Sequence, residues 1–395
     1  MISFRRKLIP PADGNVSPFK LASRGLTLHA RFSTKTYHKW RGWFLRKQKS
    51  NENARRFSAI QMAFSPFDCQ LIERLLMHIG NIELKNNVYM APMAGVTDLP
   101  FRTICHEMGA GLTVTEMVSA KAILYKNKNT EELMIRGGDG SPVAVQLFGS
   151  DPEIMSDIAH QIEDRFEIID VNMGCPVGKI VSNHEGSDLM NHPDLAYEIL
   201  SRMVKKCHTP ITVKFRKGFA KEDDTAVEFA KMAESAGVSA VTVHGRTRSQ
   251  MYAGKADWDV IRRVKEAVKI PVFGNGDLFE PEDAKRMIEE TGCDGVALAR
   301  GAQGNPWLIK RTVHYLETGE LLPKPTISEI IEMIHRHTEL MKEIKGEYTT
   351  IREMRKHISW YTEGQPKSSK LRAEINTAGS IEKLFEIVDK LAINV

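Results

Sequence analysis

Short apolar runs, turns and amphipathic stretches follow one another along most of this chain. Apolar runs occupy residues 87–91, 111–115, 142–148, 166–172, 210–215, 238–244, 270–275 and 295–299. Each is nearly continuous in apolar character, as a parallel strand covered on both faces should be. Between them, apolar residues recur at spacings of three and four, for example over 224–236, 258–268 and 281–291, which predicts helices. After the first run, Thr97 and Asp98 are N-cap types and Pro100 suits a first helical turn. Phe101, Ile104, Cys105 and Met108 then share one face, and Gly109 ends the helix. Eight strands alternating with helices over about 230 residues predict an α/β fold, a (β/α)8 TIM barrel. A doubly wound sheet is the competitor, but its usual Gly-x-Gly-x-x-Gly after the first strand is absent.

Beyond the barrel the period changes. Residues 317–325 read as a linker. Thr326-x-x-Glu329 forms a capping box, and Ile327, Ile330, Ile331, Ile334, Met341 and Ile344 trace an apolar stripe closed by Gly346. Further helices are predicted over 349–361, 368–375 and 381–391. The chain therefore divides into a barrel at 77–318 and a small all-helical domain at 326–395.

Charge separates a third part. Residues 1–60 carry 14 Lys or Arg against 2 acidic residues, a balance of +12, whereas the remainder has 41 basic and 48 acidic residues, −7. The basic stretch 1–76 reads as a transit peptide, a basic RNA-binding arm, or sequence upstream of a true start at Met77; a tail without a role is the plain alternative. The last of the three fits best with the ordered pattern that begins at Met77. No apolar run is long enough to span a membrane. The five cysteines are scattered, odd in number and lack metal-ligand spacing, which argues for a reducing, cytoplasmic setting and against a disulfide framework or a bound metal.

A barrel places chemistry at the C-terminal ends of its strands. Those ends are polar here: Gln146, Asn172 with Cys175 in the following turn, Lys214, His244, Asn275 and Arg300. One polar strand end is ordinary turn chemistry; this many converging on one mouth point to a site. Cys175 alone could equally be a small buried apolar residue. The turn Gly274-Asn275-Gly276-Asp277 and the loop from Ala299 to Pro306 follow the seventh and eighth strands. TIM barrels often bind phosphate there, although Gly-rich turns are common. In the helical domain, Arg352, Arg355, Lys356 and His357 beside Trp360 and Tyr361, with Lys370 and Arg372 beyond, form a face that either contacts RNA or is merely solvated next to a core Trp.

Taken together these motifs resemble the tRNA-dihydrouridine synthases, most closely the bacterial B-type subgroup. The resemblance rests on Ala91-Pro92-Met93-Ala94-Gly95-Val96-Thr97-Asp98, Val145-Gln146-Leu147-Phe148-Gly149 and Val171-Asn172-Met173-Gly174-Cys175-Pro176. It continues through Thr212-Val213-Lys214, Val243-His244-Gly245-Arg246-Thr247-Arg248, Gly274-Asn275-Gly276-Asp277, Gly304-Asn305-Pro306-Trp307 and Arg352-Glu353-Met354-Arg355-Lys356-His357. It implies an FMN-bearing barrel with a C-terminal tRNA-binding domain, acting as a monomer. Pro92, Met93 and Ala94 would line the flavin. Gln146 would hydrogen-bond its ring, Lys214 would sit by N1 and the C2 oxygen, and His244 would help hold the cofactor. Asn275, Gly276, Asp277, Ala299 and Arg300 would take the FMN phosphate. NADPH would reduce the flavin, which would give a hydride to C6 of a uridine while Cys175 protonates C5. Asn172, Arg246, Arg352, Arg355 and Lys356 would contact the tRNA.

Two positions depart from the family pattern. Asn183, beside His184, stands where many relatives carry Lys, and Phe215 stands where an aliphatic residue is common. Two other functions compete: an FMN barrel acting on a free pyrimidine, such as a dihydroorotate dehydrogenase, and a non-catalytic tRNA-binding protein. The basic helical domain argues against the first. The retained Cys175, Gln146 and Lys214 argue against the second.

Overall fold

The computed structural model describes residues 77–137 and 140–393; the stretch 1–76, with the readings offered for it, lies outside them. The described residues group into one body. A hairpin of β1 (Met77–Ile79) and β2 (Ile82–Leu84) comes first. Eight parallel strands follow: β3 (Val88–Met90), β4 (Leu112–Ser119), β5 (Val143–Phe148), β6 (Ile168–Met173), β7 (Ile211–Arg216), β8 (Ala240–His244), β9 (Val272–Asn275) and β10 (Gly295–Leu298). They close in sequence order, with β10 against β3. The expected TIM barrel is present, and each predicted run contains its strand or its start. β4 is the outlier. It continues to Ser119 through a register irregularity between Val114 and Met117, where Thr115 and Glu116 interrupt the apolar run on which the sequence reading relied.

Local sequence accounts for the helix ends. Helix α1 (Leu99–Glu107) starts at Asp98, whose side chain accepts from the Phe101 amide at 3.1 Å. Helices α2 (Pro152–Ile162), α3 (Pro193–Lys206), α4 (Ala226–Ser235), α5 (Trp258–Ala267), α6 (Pro281–Thr291) and α7 (Trp307–Thr318) surround the barrel. α6 ends at Gly292 in the left-handed conformation, φ 68°, which costs glycine little.

Strand alternation divides the core into two layers. Val145, Val171, Val213, Phe215 and Val243 point outward into the helix layer, and burying each contributes roughly 1.5–3 kcal/mol. Inside, Tyr89, Leu112, Ile168 and Phe273 fill the barrel floor under Ile79 and Leu84 of the hairpin. The Tyr89 and Phe273 rings meet edge-on with centroids 5.2 Å apart. The hairpin thus plugs the end opposite the strand C-termini and leaves chemistry to the other mouth.

The C-terminal helices are α8 (Ile327–Tyr361), α9 (Ser368–Ile375) and α10 (Ile381–Ile393). Thr326 and Glu329 form the anticipated capping box, and Gly346 (φ 73°, ψ 164°) breaks α8 where the apolar stripe was expected to close. These helices dock on the barrel through α1. Ile104 belongs to their core, the Phe101 ring stacks on His337 at 5.8 Å, and Arg336 pairs with Glu107. Lys345 Nζ lies 2.6 Å from Asp98 and 2.7 Å from Glu353. Among the described residues, no helix is long and apolar enough to cross a membrane, and the four cysteines are free thiols.

Candidate active site

Parallel register brings the polar strand ends together. Gln146 lies opposite Asp170, Asn172 opposite Lys214, Arg216 opposite His244, and His244 opposite Asn275. Period two along each strand aims Asp170 and Asn172, or Thr212, Lys214 and Arg216, at the same interior.

A chain of side-chain bonds climbs from the barrel interior to the turn that carries the thiol. Thr212 donates to one oxygen of Asp170 at 2.6 Å, and the Gln146 amide donates to the other at 2.7 Å. Asn172 Nδ2 donates to Gln146 Oε1 at 2.8 Å. Asn172 Oδ1 accepts from the backbone amides of Gly174 (3.2 Å) and Cys175 (2.8 Å). Asp170 is an acceptor for two neutral donors, and burial raises its pKa against the lowering effect of those bonds and of Lys214. The network fixes which end of Gln146 faces which neighbour, and so the direction in which Asn172 presents its oxygen. Gln146 still has a donor and a lone pair beyond these bonds.

Cys175 is partly buried. Burial raises its pKa, opposed by the Val177 amide and by Arg216 and Lys214, so near neutral pH the group is a thiol. Its carbonyl accepts from the Ser187 amide at 3.1 Å. Arg216 braces the turn from the other side: Nε donates to the Gly174 carbonyl at 2.7 Å, and Nη1 to the carbonyls of Thr247 and Met251 at 3.1 and 3.0 Å. Lys214 stands between Asp170 and Arg216. Burial and then the Arg216 charge lower its pKa to about 8. His244 is pushed well below its ordinary value by burial and by Lys214, Arg216, Arg246 and Arg300, so it is neutral.

At the far side of the mouth, Arg246 Nη2 bridges both oxygens of Asp277 at 2.8 Å, and Arg300 approaches the same carboxylate at 3.4 Å. Arg246 Nη1 is buried without a partner among the described residues. Gly276 has φ 124°, and a Cβ there would lie 2.7 Å from Ala256 Cβ and 3.0 Å from His244 Cδ2. Two guanidiniums, one with a buried donor left without a partner among the described residues, lie beside a turn that tolerates no side chain, an arrangement whose chemistry suits an anion.

The expected residues fall into distinct groups. Pro92 and Met93 lie partly exposed and Ala94 exposed in the loop after β3, where Met93 is pinned by Thr97. Cys175, Gln146, Asn172, Lys214 and His244 share the mouth. Asn275 also reaches it, but its side chain donates to the Ala297 carbonyl at 2.8 Å, and Asp277 spends its carboxylate on arginines. Ala299 precedes Arg300, whose guanidinium stacks on Tyr252 at 4.6 Å. Arg246 is buried, with 2% of its surface exposed, and its guanidinium is held by Asp277 and by the carbonyls of Ala253 and Gly254. The basic-aromatic face also separates: His357 and Tyr361 are buried, Arg355 turns toward the Ala378 carbonyl at 3.3 Å, and Arg352, lying on Tyr348, and Lys370 are exposed. Lys356 instead reaches the barrel, its Nζ 3.0 Å from where a Cβ of Gly95 would be.

Asp170, Arg216 and Tyr252 did not stand out in the sequence. The first two carry a usable signal, since each lies two residues from a recognised position on the same strand face. Tyr252 carries none, because its place depends on how the loop after β8 folds.

A family model described as dihydrouridine synthase (Dus) matches residues 89–393. The chain is 40% identical over 320 residues to tRNA-dihydrouridine synthase B of Vibrio vulnificus, covering 81% of this chain and 99% of that protein. It is 41% identical over 301 residues to tRNA-dihydrouridine synthase B of Pseudomonas putida, covering 76% and 89%. It is 43% identical over 303 residues to a probable tRNA-dihydrouridine synthase of Rickettsia conorii, covering 76% and 92%. With the barrel and its polar mouth already in place, these matches decide the question: the chain belongs to the dihydrouridine synthase family, in its bacterial B-type branch.

Proposed function

We propose that this chain reduces the C5=C6 bond of uridines in tRNA to 5,6-dihydrouridine, using FMN and NADPH. The observation that carries the reading is the bonded chain from Thr212 through Asp170, Gln146 and Asn172 to the amide of Cys175. It holds one protonated thiol at a barrel mouth, beside a lysine and a turn whose chemistry suits an anion. The residues fit FMN. Arg246 and Arg300 would take the phosphate, Gln146 has an unspent donor and acceptor for the ring edge, and Pro92, Met93 and Ala94 offer a wall. FMN bound there and reduced by NADPH would supply the hydride for uracil C6.

The protein's own part is acid catalysis and positioning. Cys175 gives its proton to C5, and a raised pKa keeps that proton in place at neutral pH. Asn172 holds the Cys175 amide, Ser187 holds its carbonyl, and Arg216 holds the turn before it, so the thiol is aimed before substrate arrives. The Lys214 ammonium would offset negative charge on a reduced flavin. A uridine has to leave its stack to enter such a mouth. Lys356, reaching over the loop after β3, and exposed Arg352 would meet the phosphates of the strand around it.

Incubating the protein with NADPH and tRNA that lacks dihydrouridine, then analysing nucleosides by mass spectrometry, tests this. The reading expects one mapped uridine to gain a hydrogen pair. No gain on tRNA with turnover of a free pyrimidine would favour the other FMN barrel activity. A protein that binds tRNA but takes up no flavin would favour a non-catalytic role.

A further inference from the structure

We infer that the loop behind Cys175 carries a binding site for a divalent transition metal of the zinc type, formed by His184, Asp188 and His192. Their ligand atoms all lie within 4.8 Å of one another. His184 Nδ1 is 2.9 Å and His192 Nε2 3.5 Å from the same oxygen, Asp188 Oδ2. Ligands at about 2.0–2.2 Å around a tetrahedral zinc stand roughly 3.3 Å apart, and the two edges bracket that spacing. The edge between the imidazoles is left to close, and both rings are free to turn, with side chains 70% and 48% exposed.

The carboxylate is already oriented. Asp188 is 12% exposed, and its other oxygen accepts from Asn191 Nδ2 at 3.0 Å. An outer hydrogen bond of this kind directs a carboxylate toward a metal. Two imidazoles with one carboxylate and an open fourth position suit Zn2+ or Co2+, whereas Mg2+ prefers an all-oxygen shell.

The three residues span the turn that touches the Cys175 backbone. Between them lie Gly186, where a Cβ would be 2.9 Å from the Cys175 carbonyl, and Ser187, which donates to that carbonyl at 3.1 Å. A metal held by His184, Asp188 and His192 would clip this turn to the start of α3 and steady the backbone that grips Cys175. The site draws on none of the flavin- or tRNA-facing groups, so its test is independent of turnover.

Metal-freed full-length protein titrated with Zn2+ and Co2+ should bind one equivalent through this site, with a rise in Tm. His184→Ala and His192→Ala should each remove that equivalent and the Tm rise, while Asn191→Ala should weaken binding about tenfold or more. Cys175→Ala should keep the site, and Mg2+ should give neither signal. Stoichiometry and Tm rise unchanged in both histidine variants would overturn the inference. Loss of the equivalent in Cys175→Ala would also overturn it, because the thiol would then be the ligand.

Discussion

At the scale of single residues, the account depends on two groups whose environments set their protonation. Lys214 has its pKa lowered to about 8 by burial and the neighbouring Arg216. Below that pH the amine is charged and, on the proposed function, would attract an anionic flavin; as pH rises through about 8 the charge is lost. FMN affinity should therefore fall above pH 8, approaching about tenfold per pH unit where the charge is required. Lys214→Met should bind FMN more weakly and without that pH dependence in an equilibrium flavin titration. Asp170 is the other group. Asn at position 170 can accept from only one of the donors Thr212 and Gln146 and turns an NH2 toward the other. We expect a loss of about 1–3 kcal/mol in urea unfolding together with reduced flavin retention; wild-type values for both would remove Asp170 from the positioning network. Cys175, Lys214 and His244 were legible in the sequence because polar residues stand out at the ends of apolar runs. Asp170 was not, since it lies inside a run where one polar residue looks like an exception. The burial of Arg246 was not legible either, because a loop arginine gives no sign of how deeply its loop will bury it.

At the scale of elements, the strands were readable because burial on both faces leaves apolar runs, and helix α1 because Asp98 and Pro100 mark its start. Contacts distant in sequence left no such mark. Gly304 was read as part of a phosphate-binding turn. Its φ is 64°, and a Cβ there would lie 2.2 Å from the Trp360 carbonyl carbon and 2.4 Å from the Tyr361 amide, so its smallness serves the docking of α8 on the loop after β10. Gly304→Ala should destabilise the protein by about 1–3 kcal/mol. Limited proteolysis should then release the C-terminal helices first, whereas a wild-type digestion pattern would count against this role.

At the scale of the whole molecule, barrel and C-terminal helices meet at buried histidines. His337 stacks on Phe101, and its Nδ1 is 3.2 Å from the Tyr361 hydroxyl. Burial lowers its pKa to about 4, and burial beside His337 pushes His357 well below its ordinary value. An unfolded chain protonates these rings near pH 6.5, so between 6.5 and about 4 it binds protons that the folded protein refuses. Stability should therefore fall with pH across that window, by about 3 kcal/mol for His337 if its shift is fully expressed. His337→Gln should show a shallower fall in Tm between pH 6.5 and 4.5; an equal slope would place the acid sensitivity elsewhere. The barrel and the helical appendage were both legible from periodicity, but their contact was not, because it depends on side chains more than 200 positions apart, such as Asp98 and Lys345.

The central claim is that Cys175 protonates the uracil ring reduced at this mouth, and single-turnover kinetics test it most directly. Enzyme whose FMN has been reduced with NADPH is mixed anaerobically with tRNA lacking dihydrouridine, and flavin reoxidation is followed by absorbance. Cys175→Ala should bind FMN and tRNA as the wild type does, accept reduction by NADPH, and reoxidise about a hundredfold or more slowly, the range expected on losing a general acid. Reoxidation by tRNA at the wild-type rate in Cys175→Ala would contradict the account.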